Sequence, residues 1–213
     1  MRQQGKYSQN SEDAIIESYF TGFTGTLLSI GENDGKSLSN VLSAIERGWK
    51  AVLIEPSKTA FANLRELHDK NPDVRLYNVA IGEQNGEADF YESGEHLGCG
   101  DTSLISTLIE TETDRWKGSR FDNFTKTKTD VVTWEKFYSE LPFDNMQFDL
   151  VSIDCEGLDL FILQQMNLSA MGVKMLIVEF NGKDENLFTI EADKAGLKLY
   201  HKNGENLIYH ESL

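Results

Sequence analysis

The sequence predicts an α/β fold of the doubly wound type, with a mainly parallel sheet that ends in an antiparallel hairpin. Short apolar runs typical of buried strands alternate with segments whose apolar residues recur at helical spacing. This alternation favours a parallel sheet covered by helices on both faces. Two runs near the C-terminus, 197–202 and 206–211, flank Asn203 and Gly204, a pair typical of hairpin turns because both residues tolerate positive φ.

The first buried strand leads into a loop with glycine at both ends, Gly31 and Gly35. Apolar residues then recur at three- and four-residue spacing from Leu38, which predicts a helix directly after the loop. The next strand, 51–54, ends in Glu55, 24 positions after Gly31. Strand, glycine loop and helix open a nucleoside-binding βαβ unit, in which an acid at the end of the second strand binds the ribose hydroxyls. Glu55 is therefore predicted to bind a ribose.

The residues between the two glycines indicate which nucleoside cofactor the loop accepts. A dinucleotide site needs the pattern G-x-G-x-x-G, because bare backbone must approach a pyrophosphate. Here Glu32 and Asp34 flank Asn33, and their carboxylates would repel a pyrophosphate. Carboxylates suit a ligand that carries an ammonium and a sulfonium, such as S-adenosylmethionine. A tight strand-to-helix turn without any ligand is the alternative.

The remaining elements follow from the same patterns. Gly82–Gly86 predicts a turn, and the segments with weak or no periodicity predict loops. Strands are expected at 74–81, 87–92, 130–134, 148–153 and 175–180, and helices at 7–20, 57–68, 135–141 and 185–195, with another after residue 157.

The length of 213 residues suits a single domain, 1–213, with a helical N-terminal segment over 1–25 that Asn10 or Ser11 caps. Glycine, serine, threonine and aspartate weaken the pattern over 93–128, which predicts an insertion. An insertion above a ligand site often selects the substrate, although a mobile surface loop has the same composition. His96, within it, is interpreted as a solvated loop histidine, with a base near the substrate as the alternative.

The charge and the cysteines exclude several functions. A net charge of −15 argues against an extended nucleic-acid surface or an anionic-membrane surface, since both need a basic field. No apolar run approaches about 18 residues, and the N-terminus lacks an apolar signal segment, so no membrane span or leader is expected. Two cysteines are too few for a disulfide framework, and a reducing, cytoplasmic location is the default expectation.

Asp154 and Glu156 follow the buried strand 148–153 and are predicted to be catalytic. On an extended strand end, residues i and i+2 face the same side. Two close carboxylates raise each other's pKa, which suits a general base. They could instead share a divalent metal through oxygen ligands, but no metal is expected. Alternatively, Asp154 caps the next helix and Glu156 binds backbone amides.

Three motifs extend this interpretation to most of the chain. They are the segment Tyr7–Asp13, the loop 30–35 with its continuation to Glu55 and Pro56, and the segment Ser152–Gly157; Asn78–Gly82 adds to them. In this order and spacing, the sequence resembles the FkbM family of S-adenosylmethionine-dependent methyltransferases. Two positions depart from the family, which usually has an acid where Ser29 stands and alanine where Glu32 stands. The altered loop retains affinity by another arrangement or marks a weakened site.

The resemblance implies a Rossmann-like, seven-stranded sheet of the methyltransferase type whose last strand is antiparallel. It also implies methyl transfer to oxygen on a small-molecule acceptor, a sugar or another small secondary metabolite. The loop would contact the methionine moiety, Ala80 would lie near the adenine, and Ser8 and Gln9 would close over the cofactor. The residues predicted to bind S-adenosylmethionine are Ser8, Gln9, Gly31, Glu32, Asn33, Asp34, Gly35, Glu55, Pro56, Ala80 and Asp154.

Two other classes of protein remain open. A dinucleotide-binding oxidoreductase that uses NAD(P) would share the fold, although the missing third glycine and the acidic loop count against it. A non-catalytic binding module that retains the fold is the other alternative, because fold alone does not determine function.

Overall fold

The computed structural model describes residues 5–98, 100–141 and 147–212. Residues 1–4, which belong to the predicted N-terminal segment, and Cys99 lie outside the described residues. The described strands are β1 (Thr26–Ile30), β2 (Lys50–Ile54), β3 (Val74–Tyr77), β4 (Ala80–Ile81), β5 (Gly86–Ser93), β6 (Phe124–Val132), β7 (Leu150–Ile153), β8 (Met175–Glu179), β9 (Leu197–Lys202) and β10 (Asn206–Glu211).

A seven-stranded sheet with the order β3-β2-β1-β7-β8-β10-β9 forms the centre of the molecule. Its strands pair in parallel except β10, which is antiparallel to both β8 and β9. The predicted fold class, including the C-terminal antiparallel hairpin, is confirmed. A second, three-stranded sheet with the order β4-β6-β5 lies beside it and was not predicted as a separate sheet.

Helices cover both faces of the large sheet, because each of its faces presents apolar side chains. One apolar cluster includes Ile16, Trp49 and Leu64, and the other includes Ile162 and Phe188. Within the described part of the chain, no helix has the length and apolarity to cross a bilayer. The helices are α1 (Glu12–Tyr19), α2 (Leu42–Glu46), α3 (Lys58–His68), α4 (Trp134–Ser139), α5 (Asp159–Gln165) and α6 (Glu185–Lys194), with a 3₁₀ helix at Glu110–Trp116.

Polar side chains cap the N-termini of three of these helices, including α4, where the Thr133 hydroxyl accepts from the Lys136 N–H. Ser57 accepts a hydrogen bond from the Ala60 N–H at the start of α3, and Asp184 accepts one from the Asn186 N–H at the start of α6. Ser11 is the residue before α1, as predicted, but it has a φ of 70° and its side chain makes no capping bond. The helix therefore begins without the expected cap.

The predicted strand 74–81 is two strands in different sheets. β3 ends at Tyr77, because the Asn78 side chain donates hydrogen bonds to the carbonyl oxygens of Glu55 and Pro56, at 2.8 and 3.2 Å. These bonds turn the chain, and β4 then pairs in parallel with β6. The turn also brings the segment after β3 against the end of β2.

The helix after the first loop begins later than its periodicity predicts. Leu38 has a φ of 59°, which excludes it from an α-helix, and α2 starts only at Leu42. The Ser39 hydroxyl accepts hydrogen bonds from the N–H groups of Val41 and Leu42. An extra turn of chain therefore separates the loop from the helix N-terminus.

Two further boundaries differ from the sequence prediction. In the hairpin, neither Asn203 nor Gly204 has a positive φ; the Asn203 side-chain oxygen instead accepts from the N–H groups of Glu205 and Asn206. β6 begins at Phe124, so the last five residues of the predicted insertion, 124–128, belong to a strand. The part of the insertion without regular strand structure therefore lies between β5 and β6.

Candidate active site

A row of residues crosses one edge of the sheet, at the carboxyl ends of four neighbouring strands and the amino end of β10. Glu55, Gly31 and Asp154 each follow the last paired residue of β2, β1 and β7. Glu179 is the last residue of β8 and lies level with Asp154 in this row. It pairs with Asn206 of the neighbouring strand β10. Parallel strands place residues of equal register side by side. The row therefore carries carboxylates on both sides of Gly31.

Gly31 leaves a gap in this row that no side chain could fill. It has a φ of +83°, and a Cβ atom there would lie 1.7 Å from the main-chain oxygen of Asp154. Only glycine adopts this conformation and this close approach without strain. This break in the row of side chains, the Gly31 gap, lies between Glu55 and Asp154, and the Asp154 main chain fills the direction that a Cβ atom would take. Gly31, Glu55 and Asp154 all line the same pocket.

Glu55 is buried and held by two backbone donors. Its Oε1 accepts from the Ser57 N–H at 2.6 Å, and its Oε2 accepts from the Asn33 N–H at 2.9 Å. Burial raises the pKa of Glu55 to about 8, although the two backbone hydrogen bonds lower it. The carboxylate is thus fixed in position at the end of β2, where the sequence predicts a ribose-binding acid.

Glu32 turns back toward the end of β1. Its Oε2 accepts from the Ser29 hydroxyl at 2.5 Å, and its Oε1 accepts from the Ser39 hydroxyl at 2.6 Å. Burial raises the pKa of Glu32 to about 7, and the two hydroxyls lower it. The two departures from the family are therefore in contact: the serine stands at the strand end, and the glutamate supplies a carboxylate beside it.

Three residues predicted to bind the cofactor lie outside the lining of the pocket. Asp34 accepts hydrogen bonds from the N–H groups of Lys36 and Ser37, and so stabilises the loop itself. Gly35 packs against α3, and the Ser8 hydroxyl donates to Asp13. The predicted residues that do line the pocket are Gln9, Gly31, Glu32, Asn33, Glu55, Pro56, Ala80, Asp154 and Glu156.

Asp154, Glu156 and Glu179 bring three carboxylates together, and one oxygen of each lies within 4.8 Å of the others. The predicted reason for this proximity is wrong, because β7 ends before Asp154 and Glu156 has a φ of 47°. A turn, rather than an extended strand, brings the two together. Asp159 stabilises that turn by accepting from the N–H groups of Cys155 and Gly157.

Few donors compensate these three carboxylates. Glu179 accepts from the Asn181 side chain, and Glu156 lies 3.7 Å from Arg115, the one cation within ion-pair distance among the described residues. Burial and then the neighbouring acid Asp159 raise the pKa of Asp154 to about 8. Burial and then Asp154 raise the pKa values of the other two carboxyls well above their usual range.

The segment between β5 and β6 forms a wall of the pocket. Within it, His96 stacks on Phe121 with ring centroids 4.0 Å apart, and Trp116 meets the histidine edge-on. The Nδ1 atom of His96 is buried and has no hydrogen-bond partner among the described residues. Burial lowers the pKa of this histidine. His96 is therefore a loop histidine, as interpreted, but it is half-buried against two aromatic rings rather than fully solvated.

The pocket contains a buried polar atom, in the loop after β1, that has no hydrogen-bond partner among the described residues. The Oδ1 atom of Asn33 is buried without a hydrogen-bond partner in the described part of the chain, while its Nδ2 donates to the Thr102 carbonyl. Buried acceptors without partners are costly, so a ligand donor is the natural partner. With the Gly31 gap and Glu55, this oxygen fits a nucleoside ligand.

Several residues of the pocket were not predicted. Glu179 ends a buried strand, as Asp154 follows one, and this strand-end signal could have identified it. Asn206 enters through antiparallel pairing, which no local pattern of the sequence encodes. The other unpredicted residues with polar side chains include Asn40, Arg115, Asn181 and Glu205.

The strand order and the site at the strand ends define the class. A parallel sheet that ends in an antiparallel hairpin, with an acid after the second strand, is the Rossmann-like fold of S-adenosylmethionine-dependent methyltransferases. The family model for the methyltransferase FkbM domain matches residues 29–195. The chain therefore belongs to the FkbM methyltransferase family, and the resemblance found in the sequence is confirmed.

One solved structure of this family supports the fold. The methyltransferase FkbM from Methylobacillus flagellatus KT superposes with a TM-score of 0.54 at 13% identity, over 88% of this chain and 43% of that chain. This chain thus spans less than half the length of that protein. The magnesium protoporphyrin IX methyltransferase from Synechocystis PCC 6803, solved with bound S-adenosylmethionine, has a TM-score of 0.45 at 11% identity, over 95% and 77% of the two chains. No curated protein matches the sequence.

Proposed function

We propose that the chain transfers a methyl group from S-adenosylmethionine to a hydroxyl group of a sugar or another small metabolite. The observation that carries this proposal is the row at the strand ends, with a buried acid at the end of β2 and a second acidic group across the Gly31 gap. The first side suits a nucleoside, and the second side suits an acceptor that must lose a proton.

On the cofactor side, Glu55 would accept hydrogen bonds from the ribose hydroxyls. The two backbone donors hold its carboxylate in place before any ligand binds, which reduces the entropy cost of binding. Glu32 carries the charge nearest the end of β1 and would attract the ammonium group. Gln9, Pro56 and Ala80 line the same pocket.

On the acceptor side, Asp154 and Glu156 would orient the hydroxyl and accept its proton. When bound, S-adenosylmethionine supplies a methyl group on a positively charged sulfur, which leaves as a neutral thioether. The acceptor oxygen forms the new bond to carbon, and its proton passes to a carboxylate oxygen of Asp154. Alignment supplies much of the acceleration, because the leaving group is already good.

The wall formed by His96 and Trp116 supports a small acceptor. Small-molecule sites combine aromatic surface with a few convergent polar groups. Here aromatic rings face the same pocket as the acidic residues, an arrangement that suits a ring bearing hydroxyl groups.

The test begins with isothermal titration of S-adenosylmethionine, S-adenosylhomocysteine and NAD(H) into the purified chain. We expect saturable binding of the two adenosyl ligands and no binding of NAD(H). A screen of hydroxylated sugars and small metabolites with methyl-labelled S-adenosylmethionine then identifies the acceptor. Binding of NAD(H) alone would contradict the proposal, as would labelled product on nitrogen or carbon rather than oxygen.

A further inference from the structure

The three carboxylates on the acceptor side share a feature that proton transfer alone does not explain. One general base needs one carboxylate, yet Asp154, Glu156 and Glu179 point their oxygens at a common centre, within 4.8 Å of one another. Burying like charges together is costly unless a positive charge compensates them. Such a cost is retained in a protein when the cluster has a function.

The charge around this centre does not balance. When all three carboxyls are ionised, they carry a charge of −3, whereas Arg115, which lies 3.7 Å from Glu156, is shared with Glu112 at 3.4 Å. The nearby Lys183 donates instead to the carbonyl oxygen of Gly157. Among the described residues, no cation at ion-pair distance therefore compensates the ionised cluster in full, and a divalent cation would supply the missing positive charge.

A neutral oxygen beside the cluster provides an independent sign of a ligand. Asn206 is 5% exposed, and its Oδ1 is buried with no hydrogen-bond partner among the described residues. Its Nδ2 donates to Glu12 at 2.8 Å, which orients the amide so that the oxygen faces away from Glu12. Asn206 pairs directly with Glu179 across β8 and β10, and both side chains line the pocket.

We infer that Asp154, Glu156 and Glu179, together with the Asn206 Oδ1 atom, bind one divalent cation of the hard, oxygen-preferring type, Mg²⁺, Mn²⁺ or Ca²⁺. Carboxylate and amide oxygens are the ligands that these ions prefer. The sequence prediction of no metal considered only Asp154 and Glu156. The third carboxylate and the amide oxygen come from strands that tertiary structure places alongside.

The role of the cation in catalysis rests on the proposed function, whereas its binding does not. A cation at this centre would bind the acceptor hydroxyl and lower its pKa, so that a carboxylate oxygen removes the proton more easily. Asp154 has two oxygens and can ligate through one while the other accepts the proton. An acceptor with two adjacent hydroxyls would chelate the ion, so a cation at this centre favours a sugar-like substrate.

The test uses the purified chain after treatment with EDTA and dialysis, titrated with Mn²⁺ and followed by electron paramagnetic resonance of the free ion. We expect one Mn²⁺ per chain, displaced by Mg²⁺ or Ca²⁺. Glu179→Gln keeps the shape and removes one ligand charge, and it should weaken Mn²⁺ binding at least about tenfold. Glu87→Gln is the control, because it makes the same charge change at an exposed position of β5 that does not line the pocket; it should retain affinity within about twofold.

Thermal unfolding of the same samples separates ligand loss from misfolding. Without metal, Glu179→Gln should melt about 2–4 °C higher than the parent chain, because one of three repelling charges is gone. Added Mn²⁺ should raise the melting temperature of the parent chain but not of this variant. Equal weakening by both substitutions, or no saturable Mn²⁺ binding, would overturn the inference. Retained Mn²⁺ binding without binding of S-adenosylhomocysteine would contradict only the proposed function.

Discussion

Two groups of buried carboxylates lie on opposite sides of Gly31, and they differ in how the fold treats them. On the cofactor side, every oxygen of Glu32 and Glu55 accepts a hydrogen bond from a hydroxyl or a backbone N–H. On the acceptor side, Asp154, Glu156 and Glu179 mostly face one another. Hydrogen bonds within the fold therefore hold the carboxylates of the first group in place, whereas the carboxylates of the second group have few hydrogen-bond donors. Substitutions on the cofactor side should therefore cost stability as well as affinity, whereas substitutions on the acceptor side should cost function alone.

The largest expected effect is on the acceptor side. Asp154→Asn keeps the shape of the side chain but cannot accept the proton, so we expect methyl transfer to fall about 10²- to 10⁴-fold. Stability should not fall, because burial and the neighbouring acids already oppose the charged form of Asp154 in the folded chain. Initial rates with the acceptor identified by the screen, and urea unfolding, measure the two effects. Asp114→Asn, in an exposed ion pair with Lys117, is the control. A rate within threefold of the parent would exclude Asp154 as the base.

A smaller effect is expected for Glu55→Ala on the cofactor side. Hydrogen bonds to a charged group contribute about 1.5–3 kcal/mol, so the affinity for S-adenosylhomocysteine should fall about 10- to 100-fold. Titration calorimetry at constant pH measures it. Glu87→Gln makes the same charge change on exposed β5 and should leave affinity unchanged. Unchanged affinity in Glu55→Ala would mean that the ribose lies elsewhere.

A double-mutant cycle tests whether Ser29 and Glu32 compensate each other. Ser29→Asp places a second carboxylate against Glu32 and should destabilise the chain by about 1–3 kcal/mol. Glu32→Ala should also destabilise it, because the hydroxyls of Ser29 and Ser39 lose their acceptor. The double variant, which has the usual family residues, should be more stable than the sum of the single changes by about 1 kcal/mol. Strict additivity in urea unfolding would show that the two positions do not compensate each other.

The last effect is the dependence of stability on pH, which is spread over several pH units. Burial raises the folded-state pKa of Glu32 to about 7 and that of Glu55 to about 8, from an ordinary value of 4.5. The folded chain therefore binds more protons than the unfolded chain between these values, so the free energy of unfolding falls as the pH rises from about 4.5 to 8. Nearby Asp34 and Glu92 act in the same direction.

Thermal unfolding from pH 4.5 to 8 without ligand measures this slope. Glu32→Gln should flatten the decline between pH 4.5 and 7, because the neutral amide does not titrate. Glu87→Gln should leave the slope as it is, since its side chain is exposed. Stability that rises with pH in this window would show that the buried carboxyls are ionised more easily than their surroundings suggest.

The sequence by itself determined the alternation of strands and helices and the positions of Gly31, Glu55 and Asp154. These are local signals, because a buried strand is a short apolar run and the residue after it lies at the sheet edge. The hairpin strands were also placed correctly, with the bounds Leu197–Lys202 and Asn206–Glu211. Even there the turn conformation was wrong, since the Asn203 side chain rather than positive φ closes the turn.

Only the tertiary structure decided which acids meet. Glu156 reaches Asp154 through a backbone turn with positive φ, and Glu179 reaches both because β8 lies beside β7. Asn206 joins them through antiparallel pairing, and Glu32 faces Ser29 because the loop folds back. Side-chain directions after a turn depend on φ and on neighbours distant in sequence, and neither leaves a periodic pattern.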